Sequence, residues 1–152
     1  MYTIRTAKLD DVEILVMVRH KAIVVLAAEQ MGENEALSWA NSATNDRVQQ
    51  AVEKHHVYVV EVNGKPVAWI EYDQNRIEGL YVNPKQAQQG IGSMLLCYVE
   101  ARLRDEGHSK VILNASWNAE QFYIRRGYCP QAERSVELGR PMVKYLAKTT
   151  KS

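Results

Sequence analysis

The sequence predicts one α/β domain over residues 1–152, with a central twisted mixed sheet of six to seven strands flanked by about four helices. Runs rich in β-branched and aromatic residues alternate with helical patterns, as expected of a layered α/β fold. Asn63-Gly64 between two such runs predicts a tight hairpin and therefore antiparallel pairing. A helical pattern between Val82 and Val111 predicts a crossover, and therefore a parallel pair as well.

The chain is predicted to begin with a short strand over Tyr2–Thr6 and a long helix that runs to about Gln30. Asp10 is predicted to cap this helix, because Glu13 follows three residues later as in a capping box. A second helix is predicted in two pieces, Glu35–Ala40 and Asn45–Glu53.

The middle of the chain is predicted to form three consecutive strands. Their limits are Val57–Val62, Val67–Tyr72 and Arg76–Val82. Pro66 falls opposite Glu61 across the hairpin, at a non-hydrogen-bonded pair where its missing N–H costs nothing.

A helix from about Gly90 to Glu106 shows one apolar face with residues repeating at three and four. Glu100 and Arg104 are spaced to form an exposed ion pair on its other side. The elements predicted after Gly107 are a strand over Lys110–Ala115, a helix over Asn118–Arg126, strands near Tyr128–Glu133 and Pro141–Leu146, and a frayed tail over Lys148–Ser152.

Composition excludes several function classes. Apolar residues make up 46% of the chain and charged residues 24%, with a formal net charge of +1. A chain so close to neutral has no overall field that would recruit nucleic acid or an anionic membrane. With no signal-peptide core and no apolar run of membrane-spanning length, a cytoplasmic protein is predicted. Cys97 and Cys129 lack metal-ligand spacing and are expected to be reduced, packed thiols.

The most informative stretch runs from Leu80 to Leu96. An apolar strand ends at Val82, Asn83-Pro84 breaks it, and Gly90-Ile91-Gly92 opens a helix. Free N–H groups at a helix start, with the helix dipole behind them, form an anion site that suits a pyrophosphate. The pattern is neither Gly-x-Gly-x-x-Gly nor a Walker loop.

Two motifs carry a resemblance to a known family. They are Leu80-Tyr81-Val82-Asn83-Pro84 with Gln89-Gly90-Ile91-Gly92-Ser93-Met94-Leu95-Leu96, and Asn118-Ala119 with Phe122-Tyr123 and Gly127-Tyr128. Their sequence and spacing resemble the GNAT superfamily of acyl-CoA-dependent N-acetyltransferases, and the element order matches that fold from about Thr3 to Ala147. The resemblance implies the GNAT fold, acetyl-CoA as cosubstrate and acetyl transfer to an amine.

The resemblance also implies where acetyl-CoA binds. The pantetheine arm would lie between two splayed central strands and pair with Leu80–Val82, and a backbone N–H near Tyr81 or Val82 would hold the thioester carbonyl. The cofactor residues implied are Leu80, Tyr81, Val82, Ala87, Gln88, Gln89, Gly90, Ile91, Gly92, Ser93, Asn118 and Tyr123. Ala87 departs from the family, which usually carries Gln or Arg there; either affinity is lower or Gln88 substitutes.

For the chemistry, the resemblance implies that Tyr123 protonates the leaving thiolate. The general base is open: Glu78 is the only carboxylate on the predicted strand Arg76–Val82, Glu71 on the preceding strand is a second candidate, and a water chain is a third route. Many relatives carry a Glu base on the first of these strands or on the strand after the long helix; here Arg76 stands at the first of these positions and about Asn114, which cannot act as a base, at the second. Trp39 and His20 are candidates to contact the acceptor together with Glu71.

The predicted reaction is direct transfer from acetyl-CoA to a primary amine of a small molecule, through a ternary complex and without a metal. No histidine has metal-ligand spacing. The alternatives are a protein N-terminal or lysine acetyltransferase, and a non-catalytic acetyl-CoA sensor. A homodimer is compatible with the resemblance, and the acceptor is not specified by the sequence.

Overall fold

The computed structural model describes residues 1–27, 32–41, 44–135 and 138–147. The predicted end of the first helix near Gln30 and the predicted tail Lys148–Ser152 lie outside these ranges. The strands and α-helices are β1 (Thr3–Thr6), α1 (Val12–Lys21), α2 (Glu33–Ala40), α3 (Asn45–Lys54), β2 (His56–Val62), β3 (Lys65–Asp73), β4 (Arg76–Val82), α4 (Ile91–Asp105), β5 (Lys110–Ala115), α5 (Glu120–Arg125), β6 (Cys129–Pro130) and β7 (Arg140–Tyr145).

The seven strands form one mixed sheet in the order β1-β2-β3-β4-β5-β7-β6. Among the strands of the described residues, only β4 and β5 run parallel, and the other neighbouring pairs are antiparallel. The predicted mixed α/β sheet is therefore confirmed. The predicted hairpin is also present, because Asn63 and Gly64 adopt φ angles of 51° and 81°, which a tight two-residue turn requires.

Two apolar layers cover the sheet. On one face α4 packs through Leu95, Leu96 and Val99 against β3 and β5. On the other face α1 and α3 pack against Trp69 and the centre of β2. Side chains of β3 alternate between the layers, as the two-residue period of a strand requires. The sheet is thus buried on both faces, between two helical layers.

The start of the first helix differs from the prediction. Asp10 does not cap it; a short 3-10 turn over Leu9–Asp11 precedes α1 instead. The carboxylate of Asp11 accepts a hydrogen bond from the Lys8 N–H at 2.8 Å and pairs with Arg5 at 2.8 Å. The carboxylate one residue further on is preferred because it reaches both a free backbone donor and a guanidinium.

The prediction that Glu100 and Arg104 form an exposed ion pair is wrong. Glu100 is only 5% exposed. Its carboxylate accepts from the Tyr128 hydroxyl at 2.7 Å and from the Lys144 ammonium at 3.0 Å. Because burial of an unpaired carboxylate would be costly, these two partners explain how α4 can turn a charged residue toward the sheet.

The first helix also changes form in its second half. After Lys21 the chain continues as a π-helix over Ala22–Ala27. Insertions of this kind are rare and often occur near functional sites. Here the wider turn carries Ala22 and Ile23 toward the open end of the sheet.

Candidate active site

The site begins at a gap in the sheet. The parallel strands β4 and β5 pair only at Arg76–Ile112 and Ile77–Leu113. Beyond Ile77 they diverge, because β5 continues its pairing with β7 whereas β4 follows β3. The two strands therefore splay apart and leave one edge of β4 unpaired over its last residues.

The open edge of β4 presents backbone donors. Asn83 N–H donates to the Val67 carbonyl at 2.8 Å, so at this position the chain points toward β3. Backbone groups alternate in direction along a strand, and the N–H groups of Val82 and Leu80 therefore face the opposite way, into the gap. Of the two positions considered for holding a carbonyl, Val82 has the suitable orientation.

A cavity of about 200 Å³ occupies the gap. It has walls from both faces of the sheet: the π-helix, α2 and β4 on one side, and α4, the β5–α5 connection and α5 on the other. Its lining residues are Ala22, Ile23, Trp39, Leu80, Tyr81, Val82, Gly92, Ser116, Asn118, Ala119, Phe122 and Tyr123.

Tyr123 projects from α5 into this cavity. It is only 6% exposed, and its ring makes edge contacts with Phe122 and Tyr128 at centroid distances of 5.1 and 5.5 Å. No described residue lies within hydrogen-bonding distance of its hydroxyl. Burial, with a smaller contribution from Tyr81, raises the pKa of the Tyr123 hydroxyl above its ordinary value. The hydroxyl is therefore a protonated donor that faces the cavity.

A second cavity, of about 660 Å³, adjoins the first at the start of α4. Gln88 and Gly90 adopt left-handed φ angles of 63° and 79°, which curl the loop around the helix start. The first helical bond runs from the Met94 N–H to the Gly90 carbonyl at 3.0 Å, so the N–H groups of Ile91, Gly92 and Ser93 have no acceptor within the helix. Such donors, together with the helix dipole, attract an anion. We call the start of α4 with the N–H groups of Ile91, Gly92 and Ser93 the cradle.

Arg126 adds positive charge beside this cradle. Its Nε donates to the Ser93 Oγ at 2.9 Å and its Nη1 to the Phe122 carbonyl at 2.9 Å. Arg125, Gln121 and Gln86 also line the second cavity. Arg126 is not among the residues predicted from the sequence; its i,i+4 spacing from Phe122, which places the two side chains close together at α5, is the signal that could have identified it.

Gly92 connects the two cavities. An added Cβ would lie 3.4 Å from Phe122 and 3.6 Å from Val82, inside the connection. Gly92, Phe122 and Val82 line both cavities, so the absence of a side chain at Gly92 leaves open the place where the cavities meet, as an elongated ligand with an anionic end requires. The residues present therefore fit an acyl-CoA.

The predicted site residues divide into three groups. Around the first cavity lie Leu80, Tyr81, Val82, Gly92, Asn118, Tyr123 and the predicted acceptor residue Trp39. Around the second lie Ala87, Gln88, Gly90, Ile91 and Ser93. Four residues line neither cavity: Gln89, whose side chain accepts from Tyr2, and His20, Glu71 and Glu78.

The two candidate bases have different surroundings. Glu71 is buried on β3, with its carboxylate 2.6 Å from the His55 Nδ1 and 3.3 Å from Arg47. Glu78 is exposed on β4 beside the register shift opposite Glu71 and Tyr72, where a bulge precedes the gap. Glu71 is held by partners within the protein, whereas no ion pair of Glu78 with a described residue is present.

The cysteines are free and exposed, rather than packed as predicted. Neither Cys97 nor Cys129 lines either of the two cavities described above. The described residues include no group of three or more His, Cys, Asp or Glu side chains arranged to hold a metal ion. Within the same ranges, none of the helices combines the length and the apolarity needed to cross a membrane.

Comparison with known proteins gives the family. A family model described as an acetyltransferase (GNAT) domain matches residues 27–148. The uncharacterized N-acetyltransferase YafP of Escherichia coli (strain K12) is 25% identical over 134 residues, which cover 88% of this chain and 85% of that protein.

Two solved structures share the fold. A GCN5-related N-acetyltransferase from Rhodopseudomonas palustris, described as an aminotransferase of class II, superposes with a TM-score of 0.90 at 22% identity, covering 95% of each chain. The PaiA N-acetyltransferase from Thermoplasma acidophilum, in complex with coenzyme A, has a TM-score of 0.82 at 18% identity, covering 95% of this chain and 99% of that one. The family predicted from the two motifs is confirmed: the chain belongs to the GNAT family and is an acetyl-CoA-dependent N-acetyltransferase.

Proposed function

We propose that this enzyme transfers the acetyl group directly to the primary amine of a small molecule, in a ternary complex, with Tyr123 as general acid. The observation that carries the proposal is the position of the Tyr123 hydroxyl, which is buried at the gap between β4 and β5 without a protein partner among the described residues. In the reaction an amide C–N bond forms, the thioester C–S bond breaks, the amine nitrogen loses a proton and the sulfur gains one.

The residues that would hold acetyl-CoA follow from the two cavities. The N–H groups of Ile91, Gly92 and Ser93 would bind the pyrophosphate, with Gln88 and Gln89 completing the loop and Ala87 beside it. Leu80, Tyr81 and Asn118 line the path to the gap, where the Val82 N–H would donate a hydrogen bond to the thioester carbonyl oxygen. A donor aimed at that oxygen stabilises the charge that develops there in the transition state.

Direct transfer is supported by the position of the two cysteines. A covalent relay needs a nucleophile next to the thioester, and Cys97 and Cys129 both lie outside the cavity linings. The amine would therefore attack while acetyl-CoA is still bound. We propose Glu78 as the group that accepts the amine proton, since it lies on β4 at the bulge before the gap.

A small acceptor is supported by the dimensions of the site. The cavity at the gap measures about 200 Å³, and the π-helix and α2 wall its acceptor side. Because the thioester end of acetyl-CoA would fill part of this volume, the remaining space suits an amine of modest size rather than a folded protein surface. A flexible protein N-terminus or a lysine side chain is the competing acceptor.

The test compares Tyr123→Phe with Tyr98→Phe, a matched loss of one hydroxyl on α4 outside both cavity linings. CoA affinity is measured by titration calorimetry and turnover by thiol release with a panel of amines. Loss of a general acid is expected to lower kcat by about 10²- to 10³-fold in Tyr123→Phe, with CoA affinity within about twofold of wild type. Tyr98→Phe is expected to retain both.

Equal losses of affinity and turnover in Tyr123→Phe would show that the residue binds acetyl-CoA and does not donate the proton. Unchanged turnover would remove it from the mechanism. If the enzyme binds acetyl-CoA but releases CoA only with peptide acceptors and with no small amine, the acceptor is a protein.

A further inference from the structure

One side of the first cavity is closed by two aromatic rings. Trp39 on α2 and Tyr81 on β4 both line it, next to Ile23 of the π-helix. We call Trp39 and Tyr81 the two-ring wall. They stand on the face of the sheet opposite α4 and the cradle, and therefore on the side from which an acceptor would reach the gap.

Arg19 connects the two rings from behind. It lies on α1 and is only 7% exposed. Its guanidinium donates to the backbone carbonyls of Trp39 and Ala40 at 3.3 and 3.0 Å, and its Nε donates to the Tyr81 hydroxyl at 3.3 Å.

The guanidinium carbon of Arg19 also lies 5.9 Å from the centre of the Trp39 ring and 5.5 Å from that of Tyr81, within range of cation–π attraction. One buried side chain thus contacts both members of the two-ring wall and joins α1, α2 and β4.

The Tyr81 ring is fixed from two further directions. It packs against Trp69 with centroids 5.0 Å apart. It also folds back over Gly79, where an added Cβ would lie 2.7 Å from the Tyr81 Cε2. The orientation of this ring is therefore set before any acceptor binds, and preorganisation of this kind lowers the cost of binding a matching ligand.

The charge of the surroundings restricts the acceptor. None of the described residues that line the first cavity is charged. An ammonium or a carboxylate would lose its hydration there without gaining a partner from the lining. The fixed positive charge of Arg19 behind the wall further disfavours a cationic acceptor, since like charges repel.

We propose that the acceptor is a monoamine on an aromatic or branched aliphatic skeleton, bound as the neutral amine against the two-ring wall, and that Arg19 is the positioning residue of that wall. This inference rests on the proposed function, because it requires an amine that enters the gap while acetyl-CoA is bound. It adds the chemical class of that amine and the residue that selects it.

The test uses four amines with the full-length enzyme: 2-phenylethylamine, isoamylamine, spermidine and glutamate. Wild type is expected to show kcat/KM at least about 10-fold higher for the first two than for spermidine and glutamate, the selectivity an apolar pocket can supply. Preference for spermidine or glutamate would overturn the inference and leave the proposed function standing. Release of CoA with peptides but with none of the four amines would overturn both the proposed small-molecule acceptor and this inference.

The role of Arg19 is tested with Arg19→Met, which removes the guanidinium and keeps an unbranched apolar side chain, and with Arg102→Met as matched control. Arg102 makes the same kind of ring contact, 5.2 Å from Tyr58, but lies outside both cavities. Arg19→Met is expected to raise KM for 2-phenylethylamine by about 10-fold while KM for acetyl-CoA stays within about twofold, and Arg102→Met to change neither.

Two milder variants keep the test open if Arg19→Met does not fold. Arg19→Lys is expected to give a KM for 2-phenylethylamine between those of wild type and Arg19→Met. Trp39→Ala is expected to raise the KM for the amine without changing the KM for acetyl-CoA. The inference is overturned if the KM for the amine and the KM for acetyl-CoA rise together in both variants, or if neither KM rises in either variant. Each result would show that the two-ring wall does not bind the acceptor.

Discussion

The guanidinium carbon of Arg126 lies 3.8 Å from the centre of the Phe122 ring. Phe122 lies on α5 and Arg126 directly follows the last residue of that helix, and both line the second cavity. The ring contact and the bonds to Ser93 and the Phe122 carbonyl hold the cation at the edge of the cradle. A cation fixed in advance loses little side-chain entropy when an anion binds, so it contributes more than a free surface cation would.

Arg126→Gln is therefore expected to weaken CoA binding by about 10-fold, since a charge-assisted hydrogen bond contributes roughly 1.5 kcal/mol. Titration calorimetry at two salt concentrations measures the loss, and the salt dependence of Kd should be shallower in the variant. Lys110→Gln, an exposed cation outside both cavities, is the control. An unchanged Kd in Arg126→Gln would mean that its guanidinium serves only to join α5 to α4.

Gly92→Ala is expected to weaken CoA binding about 10-fold or more while leaving stability unchanged or slightly higher. The new Cβ meets Phe122 and Val82 at ordinary contact distances, so folding is tolerated, but it occupies the passage between the cavities. Alanine is also the better helix former. Kd by calorimetry and the unfolding midpoint are the two measurements.

The matched control is Gly90→Ala. Its Cβ would meet nothing within 4 Å, but φ is +79°. That conformation costs a residue with a side chain roughly 1–2 kcal/mol, so here stability should fall. The opposite pattern, with stability lost in Gly92→Ala, would show that the passage is needed for packing and not for the ligand.

The sequence predicted most of the fold because its strongest local signals agree with the tertiary structure. The Asn63-Gly64 turn sets the register of β2 and β3 without help from distant residues. The crossover through α4 forces β4 and β5 to be parallel. Around the cavities, the two motifs identified the residues that come from β4, the cradle and α5, because each motif lies on one continuous segment.

Residues whose roles depend on distant partners could not be found in this way. Glu100 has the spacing of an exposed helical pair, but its burial is decided by Tyr128 and Lys144 on another part of the chain. Arg19 is one cation in a helix until α2 and Tyr81 are placed beside it. Asp11 is chosen over Asp10 as the helix-start carboxylate because Arg5 of β1 is adjacent.

Tyr128→Phe is expected to lower the free energy of unfolding by about 1–3 kcal/mol, because it removes a donor from the buried Glu100 carboxylate. The ring and its edge contact with Tyr123 are retained, so turnover should stay near wild type. Chemical denaturation measures the change, and Tyr145→Phe on an exposed position is the control. If Tyr128→Phe lowers the free energy of unfolding no more than the control does, Lys144 alone satisfies the Glu100 carboxylate.

Stability is expected to depend on acid through Asp11. The hydrogen bond from Arg5, followed by that from the Lys8 N–H, lowers the pKa of the Asp11 carboxyl below its ordinary value of 3.8. A lowered folded-state pKa means that this contribution is complete above the ordinary value and is lost as pH falls through the folded value. Asp11→Asn should thus cost about 1–3 kcal/mol at pH 7 and much less near pH 2. If the free energies of unfolding of wild type and Asp11→Asn differ by the same amount from pH 7 to pH 2, the effect does not arise from the ion pair of Asp11 with Arg5.

The two candidate bases can be separated by Glu78→Gln and Glu71→Gln. Glu71 is buried between His55 and Arg47, so its amide replacement should lower stability while the folded fraction keeps its turnover. Glu78→Gln should lower kcat/KM by about 10²-fold at pH 7 with little effect on stability. Because the amine binds in its neutral form and Glu78 takes the proton that nitrogen carries after attack, that deficit should persist as pH rises toward 10. Turnover lost in Glu71→Gln and retained in Glu78→Gln would transfer the role of base to the buried carboxylate.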